Sequence, residues 1–260
     1  MKKIFVLLFF FGLNAASQNV EVEFIEKEPL AADQYFGHDI FDAAYFGVNN
    51  TFYKQQGIKI NQFSDLQLGE ITSADLLNPL QILLFYRNTN TVVVLDNNLV
   101  EKKRFNFNKT ENFKNIGYAG SAAGNRLWIY NLDAKRIEIW NPEVSSDNSV
   151  QKMVPLKNEI KGITTNYNYC WIFTSEKLKM YNVYGVLVKE YPIQNITKAQ
   201  QYNGDLIFLK ERKLYFLGKK SEEAIRILTA DFQFEQFHFV NEILYIYDKQ
   251  YIHKYRIFQP

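Results

Sequence analysis

Dense apolar runs return along this chain at a nearly constant step, and that repetition limits the folds open to it more than any single motif does. The stretch "NRLWIYNLDAKRIEIW" (125–140) shows the unit: a solid apolar run, a short polar break and a second strand-like run. "ILLFYRNTNTVVVLDNNL" (82–99), "YCWIFTSEKLKMYNVYG" (169–185), "DLIFLKERKLYFLG" (205–218) and "EILYIYDKQYIHKYRIF" (242–258) repeat it. Tight polar breaks between strand-like runs read as β-hairpins. The dense runs end at Tyr86, Tyr130, Phe173, Leu209 and Tyr247, with steps of 44, 43, 36 and 38, and a further 40 back from Tyr86 lies Phe46 in "AAYFGV". A period near 40 residues with several strands per unit is the β-propeller range, with four strands to a blade. The expected fold is therefore all-β, a propeller of six blades of four antiparallel strands.

The runs themselves favour this over its rivals. Strands held between neighbouring blades are buried on both faces and should be apolar on consecutive residues. Leu83-Leu84-Phe85-Tyr86, Val92-Val93-Val94-Leu95 and Leu127-Trp128-Ile129-Tyr130 are. A sheet wetted on one face would alternate instead, and an outer-membrane barrel would show longer alternating strands. Only 197–203 and 220–228 come near a helical pattern. Blades in a ring must also join first to last. "VEVEFIE" (20–26) alternates cleanly while the last unit ends a strand short, so Val20–Ile25 is expected to pair with the sheet containing Tyr247 and Tyr255 and close the ring. Asn78-Pro79 and Asn141-Pro142 punctuate the units. "NPEVSSDNSVQK" (141–152), the most linker-like stretch, reads as a surface loop between blades.

Composition bounds the function. Hydrophobic residues are 47% and aromatics 16% of the 260 residues, enough for a large core. Thirty basic residues against 28 acidic ones give a net charge of +2 and no electrostatic reason to expect a nucleic-acid partner. Lys2 and Lys3, the apolar run Ile4–Phe11 and the small residues Ala15, Ala16 and Ser17 have the layout of a secretory signal peptide over 1–17, with cleavage near Ser17–Gln18. The run is too short to span a bilayer, which needs about 20 apolar residues. That leaves 18–260 as one propeller domain. The single cysteine, Cys170, cannot form an intramolecular disulfide. Abundant Asn, Lys, Ile, Phe and Tyr suit an AT-rich bacterial genome, and with the leader they point to a Gram-negative periplasm or cell surface.

Candidate chemistry is sparse. His38, Asp39 and Asp42 in "GHDIFDAAY" are neighbours that a turn would bring together around a cation, but they read better as a polar turn into the first unit. His238 and His253 lie in strands between aromatics, where packing or a backbone partner is the usual role. Cys170, inside "NYCWIF", reads as a buried, inert thiol. "GYAGSAAGNR" (117–126) lacks the Lys-Ser/Thr of a phosphate loop and reads as a small-residue strand near a crowded axis. Trp128 and Trp171 hold the same place in two units and read as packing between blades; Trp140, beside the loop at 141, is the one Trp considered for a surface contact. No catalytic, cofactor or metal residue is assigned.

Through these marker runs, residues 40 to 258 resemble six-bladed propellers of the broad group that includes NHL-repeat and gluconolactonase-like proteins, closest to periplasmic propellers without assigned activity from AT-rich Gram-negative bacteria. The resemblance implies the fold. It does not carry over the gluconolactonase-like metal site, whose acidic and Asn ligands match no positions here. The expected function is a secreted non-catalytic protein-binding module, an accessory periplasmic subunit of an outer-membrane assembly or secretion complex. The alternative is a glycan-binding or metal-dependent lactonase- or hydrolase-like propeller using the axial funnel.

Overall fold

A computed structural model describes residues 19–110, 113–144, 150–152, 159–229, 233–234 and 236–258. The expected leader, 1–17, lies outside them. Six four-stranded antiparallel sheets follow one another, and no helix occurs among the described residues. The innermost strands are Gln34–His38, Ser73–Asp75, Ile116–Ala122, Gly162–Thr165, Ile196–Tyr202 and Gln236–Val240. The second strands are Ala44–Val48, Ile82–Tyr86, Arg126–Asn131, Tyr169–Phe173, Asp205–Lys210 and Ile243–Tyr247. Every dense-run residue that marks the period, from Phe46 to Tyr247, falls in one of these second strands. The repeat in the sequence thus counts blades.

Burial on both faces explains why the runs are solid. Along Ile82–Tyr86 every residue is buried, and successive side chains point to opposite faces of the sheet. Ile82, Leu84 and Tyr86 pack with Tyr45 and Phe52 of the first blade. Leu83 and Phe85 pack with Leu127 and Ile129 of the third. The same division holds around the ring, so the core lies in the seams between blades. Each such side chain contributes about 1.5–3 kcal/mol by leaving water. Trp128 is fully buried against Cys170 and Ile172 of the fourth blade, and its Nε1 donates to the carbonyl of Asn166 at 2.8 Å. Trp171 occupies the matching place one seam further, against Leu206 and Phe208.

Two expectations meet the chain in detail. Val22–Pro29 pairs antiparallel with Tyr251–Ile257, with Phe24 opposite Tyr255, and forms the outer strand of the sixth blade. Val20 reaches one blade further, in an isolated parallel bridge to Ile227. The linker-like stretch 141–152 needs correction. Val150–Lys152 pairs with Glu138–Trp140 as the outer strand of the third blade, so the stretch lies within a blade rather than between two. All of the segment 197–203 but its last residue, Asn203 in the following turn, belongs to the innermost strand of the fifth blade, where its ladder with Asp205–Lys210 overrides any local helical pattern.

Because neighbouring strands alternate in direction, the turns from first to second and from third to fourth strands all lie on one face, here the upper face. The turns from second to third strands and the crossings between blades lie on the lower face. Each innermost strand therefore runs from the lower mouth of a central channel to the upper one.

Candidate functional site

The innermost strands enclose an axial channel of about 450 Å³. Each has one edge without a strand partner, so its backbone groups must be satisfied from elsewhere. Side chains reaching across the seams do this. Asp75 Oδ2 accepts from the Ser121 amide at 2.6 Å, and Gln200 Oε1 accepts from the Phe239 amide at 2.7 Å. Gln201 donates to the Thr165 carbonyl at 2.9 Å, and Nδ1 of His238 accepts from the His38 amide at 3.3 Å. Tyr118 and Thr165 pair through their hydroxyls at 3.0 Å.

Crowding at the axis demands small residues where a neighbour's side chain crosses. Gly37 has φ of +144°, and a methyl group on it would overlap the ring of His238. A methyl on Gly120 would sit 2.5 Å from Thr165 Oγ1. Gly37→Ala should therefore lower stability by about 1–3 kcal/mol from overpacking and backbone strain, measured by urea unfolding. Adding His238→Ala should recover part of the loss, and no recovery would remove the overlap as its cause.

The turn 39–43 does bring His38, Asp39 and Asp42 together, and each is already engaged. Asp39 accepts from the amides of Phe41 and Ala43 at 2.8 and 3.1 Å and from the Tyr45 hydroxyl at 2.8 Å, with Lys54 3.7 Å away. Asp42 accepts from the Tyr245 hydroxyl at 2.9 Å and from Lys254 at 3.3 Å. His38 is buried, hydrogen-bonded through Nδ1 to the Tyr35 hydroxyl, and stacked on Tyr245 at 3.9 Å. Among the described residues no group of three His, Cys, Asp or Glu side chains is placed to hold a metal ion.

Burial, followed by the neighbouring His238 and Lys254, holds His38 well below the ordinary histidine range. Burial pushes His238 down to about 3. Since Nδ1 of His238 accepts an amide, its proton sits on Nε2 and the ring is neutral. His238 keeps some accessible surface because it lines the channel, although protein surrounds it. The remaining sequence candidates have structural partners. His253 pairs with Asp248 at 2.7 Å, and Trp140 lies with its ring 5.2 and 4.7 Å from those of Phe105 and Phe107. Cys170 is fully buried, and burial pushes its thiol far up. The stretch 117–126 supplies most of the third blade's innermost strand, Ile116–Ala122.

Sequence reasoning missed Gln34, Ser73, Gln200 and Gln236, which line the channel. Their one signal is position, since each lies 9 to 13 residues before the marker of its own unit. A second cavity of about 680 Å³ lies between the fourth and fifth blades on the upper face, walled by Tyr167, Tyr169 and Met180 and joined to the channel mouth at Ile40 and Leu77.

No protein-family model matches the chain, and no curated protein matches it in sequence. Solved structures do resemble it. A streptogramin B lyase has a TM-score of 0.61 at 12% identity, covering 94% of this chain and 99% of that one. The WD40 propeller domain of Doa1 has a TM-score of 0.59 at 10% identity, covering 85% of this chain and 77% of that one. PorZ, an essential surface component of the type-IX secretion system of Porphyromonas gingivalis, has a TM-score of 0.51 at 12% identity; 85% of this chain matches 31% of that one. At these identities the likeness is one of fold, and the class is a six-bladed β-propeller.

Proposed function

We propose that this protein is an exported, non-catalytic propeller that docks a protein partner through its upper face. The observation that carries the reading is the uneven spread of exposed apolar side chains. Ile40, Phe41, Ile58, Leu80, Tyr167 and Tyr184 all lie on upper-face turns, whereas the lower face exposes Leu66, Phe113 and Leu228. Exposed apolar side chains gathered on one face mark interaction sites, and aromatic anchors carry most of the energy at such interfaces. Ile40, Leu77 and Tyr167 line one cavity beside the mouth, so the partner would meet a concave, aromatic-walled bay rather than a flat disk. Against an enzymatic role stands the channel wall. Among the described residues it carries one carboxylate, Asp75, and both oxygens of that group accept backbone amides, from Leu77 and Ser121.

Membership of a periplasmic assembly or secretion complex at the outer membrane is the finer form of this reading. The leader-like N-terminus and the fold shared with part of PorZ support it. The test is recovery of a partner from native membranes by the tagged protein and by Phe41→Ser/Leu80→Ser/Tyr167→Ser. Loss of the partner in the variant, by at least about tenfold, is expected with an unchanged melting temperature. Full retention by the variant, or a protein that stays a free monomer throughout, would sink the reading.

A further inference from the structure

We propose that the lower half of the axial channel is a binding site for a neutral, polyhydroxylated ligand of mono- or disaccharide size. Gln34, Ser73 and Gln236 begin the innermost strands of the first, second and sixth blades, three neighbours around the ring, and line the channel at its lower mouth. All three are half-buried, and their side chains hydrogen-bond to no other described residue. Gln200 adds an amide nitrogen from the fifth blade, since only its oxygen is taken, by the Phe239 amide. Amides and a hydroxyl without a partner among the described residues offer donors and acceptors side by side, which is what a sugar hydroxyl requires. Just above them Phe36, Tyr118 and Phe237 supply apolar wall for the faces of a sugar ring. Asp75, two residues along from Ser73, is the one carboxylate on the described wall, and both its oxygens already accept amides from Leu77 and Ser121; Lys161 and Lys198 are exposed at the rim. The channel as a whole, at about 450 Å³, falls within the range of small-ligand sites, about 300–1,000 Å³, and its lower half opens into the rest of that space. The site opens on the face opposite the docking surface, so the two readings stand or fall separately.

Saturation-transfer NMR and calorimetry with glucose, galactose, N-acetylglucosamine, cellobiose and the anion glucuronate test this on the chain from residue 19 onward. At least one neutral sugar is expected to bind saturably. Gln34→Ala/Gln236→Ala should weaken that binding by about tenfold or more through the loss of two hydrogen bonds, with an unchanged melting temperature. If that variant folds poorly, Ser73→Leu, which narrows the channel without removing an amide, should abolish binding instead. A channel that is merely hydrated would show no saturation by any neutral sugar up to about 10 mM, and this would overturn the proposal. Binding of glucuronate alone, or sugar binding that ignores the channel variants, would overturn it equally.

Discussion

A chain beginning at residue 30 is expected to melt about 10–20 °C below one beginning at residue 19, or to aggregate on heating. The truncation removes Val22–Pro29, the outer strand of the sixth blade, and with it the ladder to Tyr251–Ile257. It also removes Val20, which is buried among Ile207, Phe216 and Ile257 and bridges to the fifth blade. Losing that side chain from the core costs about 2 kcal/mol. Lys254 then loses Glu26 and Glu28, which accept from it at 3.0 and 2.9 Å, and keeps only Asp42 of its three carboxylate partners. Leaving a buried ammonium with one carboxylate in place of three costs about 1–3 kcal/mol here, discounted because both glutamates are half-exposed. With the lost ladder bonds the sum passes about 5 kcal/mol, and a domain of this size shifts about 2–4 °C for each. Adding a peptide of residues 19–29 in trans should restore part of the melting temperature, because it supplies the missing strand. A shift below about 2 °C would mean that the ring does not depend on this strand.

How much of this was legible in the sequence follows from where each element spends its side chains. Ile82–Tyr86 and Arg126–Asn131 were legible because burial against two neighbours leaves consecutive apolar residues, a pattern with few other causes. The outer strand Val150–Lys152 was not, since an edge strand needs only backbone pairing on one side and its surroundings, "SSDNSVQK", look like a linker. Its neighbour in kind, Ile225–Arg226, is shorter still. The turn holding His38, Asp39 and Asp42 was visible as a cluster. What its members do was not, because Tyr245 and Lys254 arrive from the far end of the chain only when the ring closes. Gln34 and Gln236 become neighbours by the same closure, and neutral amides carry no motif that would announce them.

That closure also buries two histidines without charge, which sets the protein's response to acid. His38 and His238 face each other across the seam between the first and sixth blades, with Tyr35, Asp42, Tyr245 and Lys254 around His38. Both have folded-state pKa values below the unfolded value of about 6.5. Below pH 6.5 the unfolded chain therefore takes up protons that the folded chain refuses, and stability falls as the pH falls. Each histidine contributes about 1.4 kcal/mol per pH unit in that window, so the pair removes about 4 kcal/mol between pH 7 and pH 5. The carboxylates that the fold holds low, Asp96 through the Val100 amide, Glu190 through Lys177 and Asp248, against the opposing effect of its burial, through His253, lose their contribution only near pH 4 and below. The window from pH 7 to 5 thus isolates the histidines. Urea unfolding at half-unit steps should give this slope in the native protein and about half of it in His238→Gln, whose side chain can still accept the His38 amide. An equal slope in the two proteins would assign the acid response to other groups, and a flat profile would mean that the seam admits a charged imidazole.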